Sequence, residues 1–165
     1  MLYNATNIKS PEIHWYAVKA FYNRSEAMCE RLKNEGVGIY TQRILPSYMF
    51  IQCTQERILE IKEKYWEKLF IFFDAERKHP RAIPEDEMAN FILVTSNDFE
   101  GAIFLGEDKE EYHQGDRVRV IDGQFKGAEG YIKRIKKDRK LIVSINGIAA
   151  LALAHIPSQL LEKVE

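Results

Sequence analysis

The sequence lacks a long hydrophobic run, a cysteine pair and an excess of charge of either sign. No segment approaches the roughly 20 apolar residues that a membrane-spanning helix needs, and residues 1–16 lack the unbroken apolar stretch of a signal peptide. Cys29 and Cys53 are the only cysteines, with no CxxC pair and no histidine at zinc-ligand spacing. We therefore expect a cytoplasmic protein with no disulfide, metal or cofactor and no membrane partner.

The sequence is also poor in patterns that carry catalysis. The histidines, His14, His79, His113 and His155, are scattered and form no local nucleophile motif. Residues 123–130 (GQFKGAEG) contain the glycines of a phosphate-binding loop, but they lack its GK[ST] ending and lead into a strand. Turn formation explains these glycines, so we do not expect an enzyme.

The bulk composition fits a globular protein of one medium domain or two small ones. Hydrophobic residues make up 45% of the 165 residues, and the formal net charge is −1. The charge is divided unevenly: residues 1–110 contain 14 Lys+Arg and 18 Asp+Glu, whereas residues 111–165 contain 10 and 7. Any anionic partner must therefore be recognised by a local patch.

The first 95 residues alternate between strand and helix signals. They predict strands at 14–20, 39–44, 48–53 and 70–73, with helices at 25–35, from 55 after a Thr54 cap, and from Pro84 onward. The second helix is the clearest, because Ile58, Ile61, Tyr65 and Leu69 recur at helical spacing. The order β-α-β-β-α-β with a trailing helix is typical of an α+β, ferredoxin-like arrangement.

The remaining residues predict a linker and a small β-barrel. Residues 95–111 show no regular pattern, but Phe99 and residues 103–105 are too apolar for a free tether, so we expect them to dock on their own chain. Residues 117–121 alternate as a half-buried strand, and strands at 131–135 and 141–145 flank the charged turn KKDRK. We predict domains at 1–95 and 113–165, joined by a linker at 96–112.

Three segments resemble a known family. GDRVRVIDGQFKGAEGYIKRI resembles a KOW motif, and HWYAVKAFYNR with ILPSYMFIQ resembles the strand-one and strand-three signatures of NusG-type transcription elongation and antitermination factors. The resemblance runs in the correct order from about Ile13 to the C-terminus. It implies an N-terminal domain that binds the clamp helices of RNA polymerase, followed by an SH3-like KOW barrel that recruits a second partner, either a ribosomal protein or a termination factor.

The matching motifs indicate which residues would bind the polymerase. A helix-binding surface needs partly exposed apolar anchors with a polar rim. The candidates are Tyr16, Phe21, Leu45, Pro46 and Tyr48, with Arg24 as a rim charge. Core packing is the alternative for each; we favour it for Trp15 and Phe50, and it remains open for Phe21 and Leu45.

The barrel has its own candidate contacts, with either a protein or a nucleic acid: Arg119, Phe125, Lys126, Lys133 and Arg134. The basic patch over residues 133–140 could meet RNA or DNA phosphates. A solvated hairpin is the favoured alternative, because Asp138 interrupts the patch. A ribosome- or nucleic-acid-binding KOW protein is the second function considered, and we expect a monomer.

Three departures from the family pattern favour a specialised paralogue over the housekeeping factor. The insert between the second and third strands is short, Leu45 and Ser47 replace the more usual Phe and Gly, and Asn146-Gly147-Ile148 replaces an aromatic and an arginine. The Ala/Leu content of residues 148–165 also favours helix unusually strongly for a barrel's last strand, so we consider a second, helical state of this segment.

Overall fold

The computed structural model describes residues 12–21, 25–96, 102–153 and 156–164. It is a mixed α/β structure whose chain forms two compact units. The first unit comprises Met1–Thr41 with Ser47–Ile83, and the second comprises Gln42–Pro46 with Pro84–Glu165. Within the described ranges, every helix is too short or too polar to cross a bilayer.

The first unit is an antiparallel sheet with two helices. Its elements are β1 (Ile13–Ala20), α1 (Ser25–Asn34), β2 (Gly38–Tyr40), β3 (Tyr48–Thr54), α2 (Gln55–Lys64), β4 (Leu69–Ile71) and β5 (Ala82–Ile83). The strand order is β2-β3-β1-β4, and β5 pairs with the start of β1. Helices α1 and α2 pack on one face of this sheet.

Apolar periodicity and capping account for both helices. Met28 and Leu32, four residues apart, are the buried residues of α1. Gly36, with φ of 84°, follows the helix in the left-handed conformation that commonly ends helices. The hydroxyl of Thr54 accepts a hydrogen bond of 3.1 Å from the backbone N–H of Arg57, which caps α2 as expected.

The structure corrects several predicted boundaries in the first unit. The strand expected at 39–44 ends at Tyr40, and the helix expected to include Leu69 ends at Lys64, so Leu69 begins β4 instead. The segment 70–73 is not a fully buried strand, because Phe70 is 46% exposed. Strand β5 was not predicted, since two residues carry no periodicity to detect.

The second unit combines a helix with a larger sheet. Its elements are α3 (Glu85–Thr95), β6 (Ile103–Gly106), β7 (Arg117–Val120), β8 (Glu129–Ile135), β9 (Asp138–Ile145), β10 (Ala149–Leu153) and β11 (Leu161–Lys163). The strand order is β11-β7-β8-β9-β10-β6. Val118 and Val120 are buried while Arg117 and Arg119 are exposed, as the alternating pattern predicts.

The predicted linker contains a strand. Strand β6 pairs antiparallel with β10, so the expectation of no regular element is wrong for residues 103–106. Phe99 lies outside the described residues. The second compact unit also includes α3, whereas we assigned this helix to the first domain. The boundary at 96–112 stays a prediction.

The segment with high helix propensity is extended in this structure. Ala149–Leu153 forms β10, whose five residues are all buried, and Leu161–Lys163 pairs with β7 as β11. Burial between β9 and β6 outweighs the intrinsic preference of alanine and leucine for helix, which is below about 1 kcal/mol per residue. A second, helical state of this segment stays a hypothesis.

Candidate partner-binding surfaces

The sheet of the first unit has two faces of different character. Residues opposite each other on antiparallel strands share a face, and successive residues alternate between faces. The pairs Tyr16↔Ile51 and Val18↔Met49 therefore belong to the core under α1 and α2. The alternate residues form the opposite face, which we call the aromatic face: Ala17, Lys19, Tyr48, Phe50, Phe70 and Phe72.

The predicted polymerase-binding residues are not all accessible. Tyr16 is 1% exposed and belongs to the core under the helices, where burial raises the pKa of its phenol. Leu45 (1%) and Tyr48 (3%) are also buried. The expectation that these three side chains are partly exposed is therefore wrong. Alternation along β1 turns Tyr16 towards the helices, whereas Tyr48 stacks with Phe50 and Phe72 on the opposite face. Tyr16 and Tyr48 also lie on opposite faces of the sheet.

Two candidates are exposed, and one falls outside the described residues. Phe21 is 39% exposed and Pro46 is exposed, whereas Arg24 is outside the described ranges. The backbone N–H of Phe21 donates a 2.9 Å hydrogen bond to the carbonyl of Lys68. This bond fixes Phe21 beside the start of β4.

Strand β4 lies at the edge of the sheet and carries exposed Phe70, and half-buried Phe72 directly follows the strand. Phe70 and Phe72 pack edge-to-face with centroids 5.1 Å apart, and Phe72 stacks on Tyr48 at 6.2 Å. We call Phe21, Phe70 and Phe72 the aromatic edge. Its outer residues are accessible, while Tyr48 forms a buried base that holds Phe72 in place.

A recess of about 440 Å³ opens at β4, and cations line it. Phe70, Phe72 and Phe73 supply apolar walls, Lys62 and Arg77 supply positive charge, and Asp74 supplies one carboxylate. The Lys62 ammonium lies 4.5 Å from the centroid of the Phe73 ring, within cation–π distance. The recess thus combines apolar walls with two cationic side chains and one carboxylate.

Sequence reasoning missed that Phe70 is exposed and that Phe72 is only half-buried. Every residue of the run 70–73 is apolar, so it contains no polar position to indicate which face meets solvent. Only the pairing of β4 with β1 shows the alternation, since Leu69 and Ile71 are buried and Phe70 is exposed. The one sequence signal for exposure was that a polar turn follows this short strand directly.

The second unit presents a charged surface around β7. Arg119 donates hydrogen bonds of 2.6 and 2.8 Å to Glu129 and one of 3.2 Å to Glu162, and Arg117 lies 3.0 Å from Glu129. These carboxylates raise the pKa of Arg119, chiefly through the hydrogen bonds from Arg119 to Glu129. Arg119 is therefore largely neutralised by its own unit.

The other predicted barrel contacts differ in accessibility. Phe125 is only 9% exposed and lies in the core of the second unit, so its contact with a partner stays a prediction that its burial does not favour. Lys126 and Arg134 are exposed. The Lys133 ammonium donates to the backbone carbonyl of Glu111 at 3.0 Å and lies 5.5 Å from the ring of Tyr112, so it is partly engaged.

A buried polar cluster in the second unit contains Ser, His and Asp without the geometry of a catalytic triad. Oδ2 of Asp108 lies 2.7 Å from Nε2 of His113 and accepts a 2.8 Å hydrogen bond from the N–H of Gly147. Oγ of Ser144 lies 3.4 Å from the same Nε2. A triad uses both ring nitrogens, one for the hydroxyl and one for the carboxylate. The cluster instead ties the segment before β7 to the turn after β9.

Helix α3 is held to the sheet of the second unit by side-chain hydrogen bonds. The amide of Asn90 donates to the carbonyl of Glu129 at 2.6 Å and accepts from its N–H at 2.8 Å. Glu87 accepts from the N–H of Asn146 at 3.2 Å. A cleft of about 570 Å³ lies alongside, lined by residues of α3, β8 and β9. Among the residues that the structure describes, no group of three His, Cys, Asp or Glu side chains could hold a metal ion.

Comparison with known proteins identifies one motif and one fold. The family model of the KOW motif matches residues 114–146. The chain is similar to the solved structure of NusG from Thermotoga maritima, described as "Domain interaction in Thermotoga maritima NusG": identity is 20%, the TM-score is 0.50, and the match covers 93% of this chain and 98% of that one. No curated protein sequence matches the chain.

Two structures of an MjSpt4:Spt5 complex also match. Conformation B gives 18% identity and a TM-score of 0.36, covering 91% of this chain and 96% of that one. Conformation A gives 17% and 0.33, covering 91% and 97%. The chain is thus a mixed α/β protein with a KOW motif in its second unit. Its fold is that of a NusG-type protein.

Proposed function

We propose that this chain is a non-enzymatic, cytoplasmic transcription elongation or antitermination factor. In this proposal the N-terminal part binds RNA polymerase, and the KOW unit recruits a second partner. The observation that carries it is the occurrence of a KOW motif and a NusG-type fold in the same chain. Either alone is compatible with other functions, because KOW barrels also occur in ribosomal proteins and a fold does not specify a function.

The finer architecture belongs to the same proposal. The order β2-β3-β1-β4, with both helices of the first unit on one face, supports a ferredoxin-like N-terminal domain. The six-stranded antiparallel order of the second unit supports an SH3-like barrel. We assign residues 1–95 and 113–165 to these two domains.

The aromatic edge is the surface we propose for the polymerase clamp helices. Docking of helices into an apolar groove depends on a few large side chains that become buried on binding. Phe21 and Phe70 are the accessible anchors, while buried Tyr48 supports Phe72 from beneath. Lys19, whose ammonium lies 5.0 Å from the Tyr48 ring, and Lys62 provide positive charge for an acidic partner.

This surface differs from the set that the sequence motifs indicated. Phe21 remains in it because it is exposed, whereas exposed Pro46 belongs to the second unit and its contact with the polymerase stays a prediction. Tyr16 and Leu45 have core positions and are replaced by Phe70 and Phe72. Arg24 follows Phe21 closely in the chain and stays a proposed rim charge.

Binding of the full chain to purified core RNA polymerase tests the proposal. We expect Phe21→Ala combined with Phe70→Ala to weaken binding at least about tenfold, since truncating a central aromatic anchor typically costs about 1–2 kcal/mol or more. Leu59→Ala is the matched control, because Leu59 is 38% exposed, close to the 39% of Phe21, but lines neither the aromatic edge nor the recess at β4.

Transcription assays should separate the variants in the same way as the binding assay does. The wild-type chain and Leu59→Ala should both alter polymerase pausing or termination, and the double variant should not. Failure of the folded wild-type chain to bind the polymerase would exclude the proposed function. Equal loss of binding in the double variant and in Leu59→Ala would exclude the aromatic edge as the contact surface.

A further inference from the structure

The hairpin of β8 and β9 extends beyond its neighbouring strands. Strand β7 pairs with β8 only as far as Tyr131, and β10 pairs with β9 only from Leu141 onward. Within the described part of the chain, residues 133–135 and 138–140 pair only with each other. Residues 133–140 therefore form a two-stranded ribbon, which we call the basic ribbon.

Six of the eight residues of the basic ribbon are cations, and they occupy both faces and the tip. Lys133 faces Lys140 across the ribbon, and Arg134 faces Arg139. Because adjacent cross-strand pairs lie on opposite faces, each face carries one cationic pair. Like charges directly opposite each other destabilise a hairpin. The arrangement thus opposes the stability of the fold.

The tip adds a second unfavourable feature. Lys136 and Lys137 form the turn, with φ of 52° and 73°. Two positive φ angles define the turn that Asn-Gly or Gly-Gly normally occupies, because a β-carbon is strained there. Lysine at these two positions therefore costs stability, and this cost points to a role for their charge.

Few carboxylates neutralise this charge. Lys133 is the ribbon residue with an ion pair, at 3.9 Å from Glu111. The other five cations form no salt bridge with any described residue, although Asp138 belongs to the ribbon itself. The five are Arg134, Lys136, Lys137, Arg139 and Lys140.

The shape of the basic ribbon selects among polyanions. A partner that approaches one face, such as an acidic peptide or a single strand, would leave the cations of the other face in water. A groove with phosphates on both walls would meet both faces. The major groove of B-form DNA is about 12 Å wide and about 8.5 Å deep and admits a two-stranded ribbon, whereas the major groove of duplex RNA is narrow. Roughly four residues of strand extend about 13 Å, enough to reach its floor.

We propose that the basic ribbon inserts into the major groove of duplex DNA and contacts the phosphates of both walls, without reading the base sequence. This binding does not depend on polymerase, so its failure and the failure of the proposed function are separate results.

Salt titration of full-length protein on a duplex of about 30 base pairs and arbitrary sequence tests the proposal. Neutralisation of phosphates by five cations predicts that log Kobs falls with log salt with a slope of about −4.5. Lys136→Gln combined with Lys137→Gln should reduce the slope by about 2 and weaken binding roughly 60-fold at ~0.1 M salt. Lys33→Gln combined with Lys78→Gln, two exposed lysines of the first unit, removes the same charge and should leave both values unchanged.

A second variant separates binding from folding. Lys136→Asn combined with Lys137→Gly supplies the preferred turn residues, so it should raise the melting temperature by a few degrees while losing DNA affinity like the glutamine variant. Wild-type affinity in either ribbon variant would overturn the proposal.

Competitor polyanions test the shape argument. Duplex RNA of the same length, single-stranded RNA and polyglutamate should each compete less well than duplex DNA at equal charge. Equal or better competition by any of them would overturn insertion into the DNA groove.

Discussion

Gly130 of the KOW motif occupies a position where any side chain would collide with the backbone of the neighbouring strand. A β-carbon at Gly130 would lie 2.1 Å from the carbonyl oxygen of Ile142 and 2.9 Å from its carbonyl carbon. The β8–β9 ladder fixes that carbonyl, so no rotamer change relieves the contact. We expect Gly130→Ala to lower the free energy of unfolding by about 3 kcal/mol, at the upper end of overpacking effects. This is a large share of the roughly 5–15 kcal/mol available to a small domain.

Gly127→Ala provides the matched control for this prediction. Gly127 lies three residues earlier, has φ of 94°, and has open space within 4 Å of the position that a β-carbon would take. Alanine there introduces only backbone strain, about 1 kcal/mol. Urea unfolding followed by circular dichroism, with amide exchange of β8 and β9, measures both variants. Equal unfolding midpoints for Gly130→Ala and Gly127→Ala would refute the steric argument.

Three further predictions concern the first unit. Thr54→Ala should destabilise it by about 1 kcal/mol through loss of the cap on Arg57, and Thr54→Ser should restore most of that in thermal unfolding. The hydrogen bond from Lys64, opposed by burial, holds the pKa of Glu35 below its ordinary value of 4.5. The Glu35 contribution is therefore present above about pH 4.5 and is lost as the pH falls through the lower folded-state pKa; Glu35→Gln should flatten this acid limb of the stability curve. Burial raises the pKa of Cys53 to about 11, so this thiol should resist alkylation at about pH 8, and rapid labelling of the native protein would contradict its buried position.

Elements with a polar and an apolar side could be predicted from the sequence. The spacing of Met28 with Leu32, and of Ile58 with Ile61, predicted two helices that the structure contains, although α2 ends at Lys64 and not at Leu69. Alternation over Arg117–Val120 placed β7 and its buried face. In each case the pattern itself records which side meets solvent, because burial of apolar area drives the choice.

The candidate surface depended on information that is not local. Tyr16 and Phe70 both belong to apolar runs, and only the pairing of β1 with β3 and β4 decides that Tyr16 faces the core and Phe70 the opposite side. Strand β6 was missed for a similar reason, since its partner β10 lies more than forty residues later. Register is set by long-range pairing, which a single sequence does not reveal.

The basic ribbon could be predicted from the sequence only in part. Its charge was evident from the sequence, and the turn was expected within KKDRK. Its extension beyond β7 and β10, its like-charge cross-strand pairs and the positive φ angles of Lys136 and Lys137 required the structure. These features are the basis on which we propose a binding element instead of a solvated hairpin.

The central claim is that the aromatic edge of the first unit contacts RNA polymerase. Site-specific photo-crosslinking tests it most directly, with a photoreactive phenylalanine derivative at position 70 and, as control, at position 59. We predict a crosslink from position 70 to the polymerase subunit that carries the clamp helices, and none from position 59. Crosslinking from position 59 alone, or from neither position while the protein remains bound, would contradict the account.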